Sequence, residues 1–373
     1  MAGKHRYRRV VVKLGTNLLT DGGEQLDLAR IETLVGQVAR LHADGKEVII
    51  VTSGAVAAGR LRLGAGRISR AIPFRQVLAS IGQSQLMQAY DRLFAAHDIV
   101  AAQALLTRRD LSDRLSYLNA RNTLLALLQY HAVPIVNEND AVAVEELAES
   151  RIGENDTLAA LTANLVDADL LVLLMTREGL FTADPSADPD AQLVRRVERI
   201  DASIEAYAGG SERSGTGGMV TKLQAARLAT AGGTDMIIAS GLELDVLPRL
   251  VAGEAMGTFF PATGDRLESR KRWILSGLAI RGSIIVDEGA ARALRERKTS
   301  LLPAGVKAVV GAFERGDPVQ IATANEERIA CGITNYSAAE MSAICGAKSA
   351  EIIAILGHDY GAEAVHRDNL VLV

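Results

Sequence analysis

Four loops of the sequence combine glycine with residues that suit anions, and each follows a predicted strand or precedes a predicted helix. In the first loop Lys13 ends a strand, and Gly15 and Thr16 follow it. An ammonium group beside free backbone N–H groups suits phosphate oxygens. A strand-end lysine that reaches solvent beside a glycine turn explains the same residues. The G-x-x-x-x-G-K-[ST] pattern of a P-loop does not occur in the chain.

The second loop runs from Thr52 to Ala55 and opens a predicted helix after an apolar strand. Ser53 is a candidate N-cap of that helix, and Gly54 follows it. Because a helix N-terminus attracts anions, the loop suits a substrate carboxylate or a transferring phosphoryl group. Helix capping alone also explains the serine.

Two clusters of amides and carboxylates flank the third loop, Asn137–Asp140 at a strand end and Gly153–Asp156 at a helix start. Such groups suit the α-ammonium and α-carboxylate of an amino acid. A remaining carboxylate would organise lysines or Mg²⁺. Turn formation and helix capping explain Asn and Asp at these places equally well.

The fourth loop, Gly215–Lys222, is the glycine-rich entrance to a helix whose first turn carries Thr221 and Lys222. Backbone N–H groups, a hydroxyl and an ammonium converge there, as a triphosphate requires. A further stretch, Arg177–Pro185, follows the most apolar strand and suits a wall for ribose or adenine, although a plain turn fits as well.

Phosphoryl transfer to a carboxylate fits these loops, because a glutamate side chain has a reference pKa of about 4.3 and is already an anion at pH 7. No general base is needed, and no histidine pairs with a serine or cysteine in these loops. The obstacle is repulsion between two anions. Lysines on opposite sides of the reacting phosphorus, with Mg²⁺ and loop N–H groups, would offset it.

The elements that must position these loops alternate along the chain. Short apolar runs such as Val10–Leu14 and Leu170–Leu174 alternate with amphipathic segments of helix length. This order predicts an α/β fold with a parallel-rich sheet covered by helices and with function in the loops after the strands. Towards the C-terminus the segments become short and are separated by glycines. We predict a first domain over residues 1–260, a polar linker over 261–272 and a small, mostly β domain over 273–373.

The composition is that of an ordinary globular protein, with 48% hydrophobic and 23% charged residues among 373. The net charge of −4 argues against a nucleic-acid or membrane partner, and no apolar run is long enough to span a bilayer. With only Cys331 and Cys345, a disulfide framework is excluded and a cytoplasmic location fits.

An ordered set of motifs along nearly the whole chain resembles the amino-acid-kinase family. The motifs are Val11–Thr16, Val51–Gly59, Asn137–Val142, Gly153–Asp156, Gly217–Ala226, Arg270–Ile274 and Ala364–Asp368. The resemblance implies a three-layer αβα kinase domain followed by a PUA-like domain. It also implies transfer of the ATP γ-phosphoryl group, with Mg²⁺, to the side-chain carboxylate of L-glutamate, the first step of proline biosynthesis.

The resemblance also implies roles for individual residues. Lys13 and Lys222 stabilise the transferring phosphoryl group, and Asp156 organises the two lysines. The implied glutamate ligands are Ser53, Gly54, Asp140 and Asn155. The implied ATP contacts are Lys13, Gly15, Met175, Thr176, Thr216, Gly217, Gly218, Met219, Val220, Thr221 and Lys222. No residue is implied as a dedicated metal ligand.

The implied partners are L-glutamate and ATP, proline as an inhibitor, a homo-oligomer (dimer or tetramer) and glutamyl-phosphate reductase as the receiver of the product. Sister kinases that act on N-acetylglutamate, aspartate, carbamate or UMP are the alternatives among enzymes. A PUA-like domain suggests RNA binding instead, but residues 273–373 hold 12 acidic and 10 basic residues. A phosphate-binding surface needs a basic excess.

The chain departs from the family pattern in two places. After the apolar strand the family usually has Ser/Thr-Asp, whereas this chain has Met175 and Thr176. The stretch between Leu147 and Gly153 is a few residues longer than the family form. The first departure affects a nucleotide contact, and the second affects the lid over the substrate.

Overall fold

The computed structural model describes residues 7–23, 25–63, 72–143, 154–208, 218–264 and 280–372. The chain divides into two compact units, Met1–Ser112 with Asn119–Arg266, and Asp113–Leu118 with Leu267–Val373. The predicted linker over 261–272 lies mostly outside the described residues, and the predicted domain limits stay predictions.

The first unit contains a seven-stranded sheet. Its strands are β1 (Arg9–Leu14), β2 (Glu47–Thr52), β3 (Ala101–Leu106), β4 (Val133–Glu138), β5 (Leu170–Met175), β6 (Asp235–Ser240) and β7 (Thr258–Phe260). Their order is β3-β4-β2-β1-β5-β6-β7, and all neighbours are parallel except β6 and β7. The chain crosses the sheet between β4 and β5, so β1 lies where the strand order reverses. Ligands of open parallel sheets bind outside the carboxyl ends of the strands at such a point.

Helices accompany this sheet along the chain. They are α1 (Thr16–Leu19), α2 (Leu28–Ala43), α3 (Ala55–Leu63), α4 (Ile72–Ala95), α5 (Arg108–Ser112), α6 (Arg114–Gln129), α7 (Glu154–Leu165), α8 (Ala202–Ala208), α9 (Met219–Ala231) and α10 (Val246–Val251). The predicted strands Val10–Leu14 and Leu170–Leu174 are both present, each with one end that differs by a single residue.

The two faces of the sheet carry different helices. Because side chains alternate along a strand, Val10 and Val12 of β1 lie on one face, in a core with residues of α2, α4 and α10. Lys13 lies on the other face, where it meets residues of α7. The helices therefore form a layer on each side of the sheet, and the predicted α/β fold class is confirmed.

The second unit is mostly β. Its strands are β8 (Gly282–Val286), β9 (Val306–Gly311), β10 (Pro318–Thr323), β11 (Arg328–Ile333) and β12 (Leu370–Leu372), and its helices are α11 (Glu288–Arg297), α12 (Ala338–Ala343) and α13 (Ile352–Leu356). The strand order is β12-β11-β10-β8-β9, with only the β8–β10 pair parallel. A separate apolar core, which includes Ile284, Val319 and Tyr336, holds this unit together.

Within the described residues, none of the helices combines the length and the apolar character that crossing a bilayer requires.

Candidate active site

Two lysines and one aspartate form the charged centre of the candidate site. Lys13 lies near the end of β1, Asp156 in the first turn of α7 and Lys222 in the first turn of α9. The Lys13 Nζ lies 2.6 Å from Asp156 Oδ1, and the Lys222 Nζ lies 3.1 Å from Asp156 Oδ2. The carboxylate therefore holds one ammonium group on each oxygen. We call Lys13 and Lys222 the lysine pair.

Burial and charge together determine the ionisation of this centre. The Asp156 side chain is fully buried, and Lys13 and Lys222 are 8% and 7% exposed. Burial disfavours the charged Asp156 carboxyl, but the two ammonium groups outweigh it and lower its pKa to about 2. Burial lowers the pKa of Lys222; Asp156 opposes that shift and the charge of Lys13 adds to it. With both lysines protonated, one positive charge stays uncompensated and suits an anionic phosphoryl group.

Thr221 supports the same carboxylate from the start of α9. Its buried hydroxyl lies 3.0 Å from Asp156 Oδ2 and 2.8 Å from the Gly218 carbonyl oxygen. A hydroxyl has one hydrogen, so Thr221 donates to one of these acceptors at a time. The side chain therefore links Asp156 to the end of the glycine-rich loop.

Asn155, next to Asp156, connects two strand ends by hydrogen bonds. Its Nδ2 lies 2.9 Å from the Thr52 carbonyl oxygen, 2.7 Å from the Ser53 Oγ and 3.2 Å from the Asn137 Oδ1. These bonds tie the start of α7 to the ends of β2 and β4. The structure thus brings the predicted substrate residues Ser53 and Asn155 into direct contact.

Ser53 does not take the predicted N-cap position. Helix α3 begins at Ala55, so Gly54 precedes it directly, and the Ser53 hydroxyl accepts a hydrogen bond from Asn155 instead. Gly54 has a φ of 105°, a left-handed backbone conformation that strains other residues. The N-cap prediction is therefore wrong, because the turn at Gly54 delays the helix by one residue and frees the serine for the site.

Helix α4 forms a further wall of the site, and none of its residues is among the predicted site residues. The Gln83 Oε1 accepts a 2.8 Å hydrogen bond from the Asn137 Nδ2. The Tyr90 hydroxyl, fully buried, lies 2.8 Å from the Thr52 Oγ1. Burial raises the pKa of Tyr90 well above its ordinary value, with the hydrogen bond to Thr52 opposing the shift, so the hydroxyl stays neutral. Both contacts attach α4 to the strand ends that carry the site.

Asp140 lies just after β4 and faces a third residue of α4. Burial raises the pKa of the Asp140 carboxyl, and the positive charge of Arg75 opposes the shift. Arg75, Gln83 and Tyr90 are seven or eight positions apart, about two helical turns, so they share one face of α4. That spacing places the three polar residues on one face of the helix, but it does not indicate which part of the molecule the face contacts.

The predicted nucleotide-binding residues are described in part. A Cβ at Gly15 would lie 3.4 Å from the Lys13 Nζ, so the glycine leaves room beside that ammonium. Gly218 precedes α9, and Met219 and Val220 begin it, with Val220 exposed. At the end of β5, Met175 is half-buried and Thr176 is exposed. Thr216, Gly217, Gly153 and residues 144–152 lie outside the described residues.

Comparisons with known proteins agree with this fold and identify the family. The model of the amino acid kinase family matches residues 8–240, and that of the PUA domain matches residues 282–356. The chain belongs to the amino acid kinase family, a family of phosphotransferases, and the resemblance found in the sequence is confirmed.

Curated relatives narrow the likeness to one kind of kinase. The chain is 51% identical to "Glutamate 5-kinase" of Dehalococcoides mccartyi (strain CBDB1), over 98% of this chain and 99% of the relative. It is 51% identical to the protein of that name from Herpetosiphon aurantiacus (98% of each chain) and 49% identical to that from Deinococcus radiodurans (98% and 100%). A solved UMP kinase structure from Bacillus anthracis aligns with 69% of this chain and 97% of its own, at 16% identity and a TM-score of 0.48.

Proposed function

We propose that this chain transfers the γ-phosphoryl group of ATP to the side-chain carboxylate of L-glutamate, which gives L-glutamyl 5-phosphate and ADP as the first step of proline biosynthesis. The observation that carries the proposal is the lysine pair, held on one buried aspartate beside the amide of Asn155. The name of the relatives supports glutamate as the amino acid.

In this reaction a γ-carboxylate oxygen attacks the γ-phosphorus, and the bond between that phosphorus and the bridging oxygen of ADP breaks. The attacking carboxylate is already ionised at neutral pH, so no proton is transferred. Lys13 and Lys222 stabilise the negative charge on the transferring phosphoryl oxygens. Asp156 keeps the two ammonium groups in position before ATP binds.

The two substrates are assigned to the two ends of the site. For glutamate we propose Ser53, Gly54, Asp140 and Asn155, where Asp140 supplies a carboxylate for the α-ammonium. For ATP we propose Lys13, Gly15, Met175, Thr176, Thr216, Gly217, Gly218, Met219, Val220, Thr221 and Lys222. Of these, Thr221 acts through Asp156 as well, since its hydroxyl lies 3.0 Å from that carboxylate.

Mg²⁺ is proposed as a companion of ATP and not as a resident metal. Within the described residues, no group of three His, Cys, Asp or Glu side chains is arranged to hold a metal ion. Both oxygens of Asp156 already face a lysine. Phosphate oxygens are the usual ligands of this ion in kinases, so we propose that it enters the site with the nucleotide.

Regulation and assembly are also proposals. Proline would compete with glutamate, because it presents an α-carboxylate and a neighbouring ammonium but no γ-carboxylate to phosphorylate.

We propose a cytoplasmic homo-oligomer, a dimer or tetramer, that passes its product to glutamyl-phosphate reductase. We also propose the kinase domain over residues 1–260, the linker over 261–272 and the PUA-like domain over 273–373.

ADP release against a panel of acceptors tests the substrate. We expect turnover with L-glutamate and little with L-aspartate, N-acetyl-L-glutamate, carbamate or UMP. Turnover with one of these and none with L-glutamate would assign the chain to another branch of the family.

Initial rates at varied L-glutamate, with and without proline, test the regulation. Inhibition that glutamate does not relieve would point to a separate regulatory site.

A further inference from the structure

The side-chain amides of Asn155, Asn137 and Gln83 form a chain, the amide chain, whose hydrogen-bond direction is fixed at one end. The Thr52 carbonyl oxygen can only accept, so Asn155 must turn its Nδ2 towards it, at 2.9 Å. The same Nδ2, whose two hydrogens are shared among three acceptors, also lies 3.2 Å from the Asn137 Oδ1, so this oxygen accepts. Asn137 must therefore turn its own Nδ2 towards Gln83 and donates to the Gln83 Oε1 at 2.8 Å.

This direction leaves one unpaired group at each end of the amide chain. The Asn155 Oδ1 and the Gln83 Nε2 are both buried, and neither has a hydrogen-bond partner among the residues that the structure describes. Buried amide groups without a partner are uncommon in folded proteins and call for an explanation. A ligand that supplies the partners is one, because Asn155 offers an acceptor and Gln83 offers a donor.

In their hydrogen-bonding character these two groups suit the two charged groups of a free amino acid. An acceptor suits an ammonium group, and a donor suits a carboxylate. Asn155 is the neighbour of Asp156, whereas Gln83 is separated from Asn155 by Asn137. A carboxylate bound by Gln83 therefore belongs to the end of the substrate away from the lysine pair, which is the α-carboxylate.

Close packing of two helices holds Gln83 in place. At the preceding residue, Gly82, a Cβ would lie 1.8 Å from the Ala55 carbonyl oxygen, so only glycine allows α4 to approach α3 there. Ala55 follows the turn that carries Ser53 and Gly54. The position of Gln83 is thus coupled directly to the loop that binds Asn155, as a preorganised binding group requires.

We propose that Gln83 is a substrate-binding residue whose Nε2 donates a hydrogen bond to the α-carboxylate of the amino-acid substrate. The inference rests on the proposed function only in that the substrate is an amino acid. Gln83 thereby selects for a free α-carboxylate, as the lysine pair selects for the carboxylate that reacts.

Gln83→Glu tests this assignment, because it keeps an acceptor for Asn137 but replaces the donor by an anion. With the full-length enzyme we expect the KM for L-glutamate to rise about 10- to 100-fold, the scale of a lost bond to a charged group, while the KM for ATP and kcat stay near wild type. This increase in KM should become smaller towards acidic pH, where the carboxyl introduced at position 83 is protonated and can donate a hydrogen bond again. Gln85→Glu makes the same change at an exposed position of α4 and should leave all constants unchanged.

Gln83→Met, which has neither donor nor acceptor, gives a second test that adds no charge. We expect it to weaken calorimetrically measured binding of L-glutamate, which does not depend on the chemical step. An unchanged KM and affinity for the amino acid in either folded variant would overturn the role of Gln83. If the wild type uses another amino acid, the proposed function fails, and the same two variants test Gln83 with that amino acid.

Discussion

The lysine pair with Asp156 and the amide chain lie side by side, but they prepare for their ligands in opposite ways. In the lysine pair, both ammonium groups are already held in place before any ligand binds, since each oxygen of one buried carboxylate holds one of them, and one positive charge is left over for the ligand. In the amide chain, neutral groups satisfy one another along the chain and leave a donor and an acceptor at its ends. Charge acts over several ångströms and tolerates small displacements, whereas an amide must meet its partner at bonding distance. The first region therefore suits a moving phosphoryl group, and the second suits a substrate that must be held still.

Asp156→Asn should give the largest effect, and the effect should be on stability. Without the carboxylate two buried ammonium groups face each other, and breaking a buried ion pair costs about 3–5 kcal/mol in the free energy of unfolding. Urea denaturation at pH 7 measures this loss. Asp44→Asn, at an exposed position, should change the free energy of unfolding by no more than about 0.5 kcal/mol.

The pH dependence sharpens the same prediction. A carboxyl whose pKa is lowered from 3.8 to about 2 stabilises the fold above its ordinary pKa and loses that contribution as the pH falls towards 2. The contribution is about 2 kcal/mol at 1.36 kcal/mol per unit. The gap between wild type and Asp156→Asn should therefore narrow below pH 4. A gap that stays constant would mean that the lysines do not act through this carboxylate.

Lys222→Ala should reduce kcat by roughly 10²–10³-fold with a smaller effect on the KM for L-glutamate, because its charge matters most as the phosphoryl group transfers. Steady-state rates at saturating substrates measure this. Lys307→Ala, which removes an exposed lysine of β9, should keep the wild-type kcat. Near-normal turnover in a folded Lys222→Ala protein would remove this residue from the mechanism.

Asp140→Ala should mainly raise the KM for L-glutamate, by roughly 10- to 100-fold, the scale of a lost charged hydrogen bond. A carboxylate that pairs with the α-ammonium acts in the ground state and the transition state alike, so kcat should change less. Kinetics at varied glutamate and at varied ATP separate the two substrates. If the variant loses affinity for ATP while the KM for glutamate is unchanged, the assignment of Asp140 to glutamate is wrong.

The sequence indicates the lysine pair because its residues stand at local landmarks. Lys13 ends an apolar strand, and Asp156 and Lys222 lie in the first turns of helices that follow Asn- or Gly-rich loops. Parallel strands bring their carboxyl ends to one edge, so these three residues lie at the same edge of the sheet in any fold of this class. The distances of 2.6 Å and 3.1 Å from the two ammonium nitrogens to the Asp156 oxygens depend in addition on the order of the strands in the sheet.

The amide chain is hidden from the sequence because its contacts are not local. Gln83 lies in the middle of α4, 54 positions before Asn137, and helical periodicity alone makes it one polar residue among several. Its role depends on β4 lying beside β2 and on Gly82 drawing α4 onto α3. Neither condition can be derived from the residues around Gln83. The same reason explains why Tyr90 was missed.

Lys222→Arg should give the smallest effect, a shift in the alkaline limb of the pH profile. Burial lowers the pKa of Lys222, so in the free enzyme the ammonium group loses its proton at a lower pH than an exposed lysine does. The rate constant kcat/KM for ATP should therefore begin to fall at a pH below the pKa of an ordinary lysine. An arginine stays charged at every pH at which the enzyme works. The alkaline limb of the Lys222→Arg variant should therefore move to higher pH. The different shape of the guanidinium group should also lower the rate at pH 7.

Bound ATP makes this last prediction more specific. In the proposed complex the triphosphate would add negative charge beside Lys222, which favours the protonated ammonium and should raise its pKa. The alkaline limb of kcat, which reports the complex, should consequently lie at higher pH than the limb of kcat/KM, which reports the free enzyme. In Lys222→Arg the two limbs should no longer differ for this reason. If wild type and variant have the same alkaline midpoint, a group other than Lys222 titrates there, and the assignment of the limb to Lys222 is wrong.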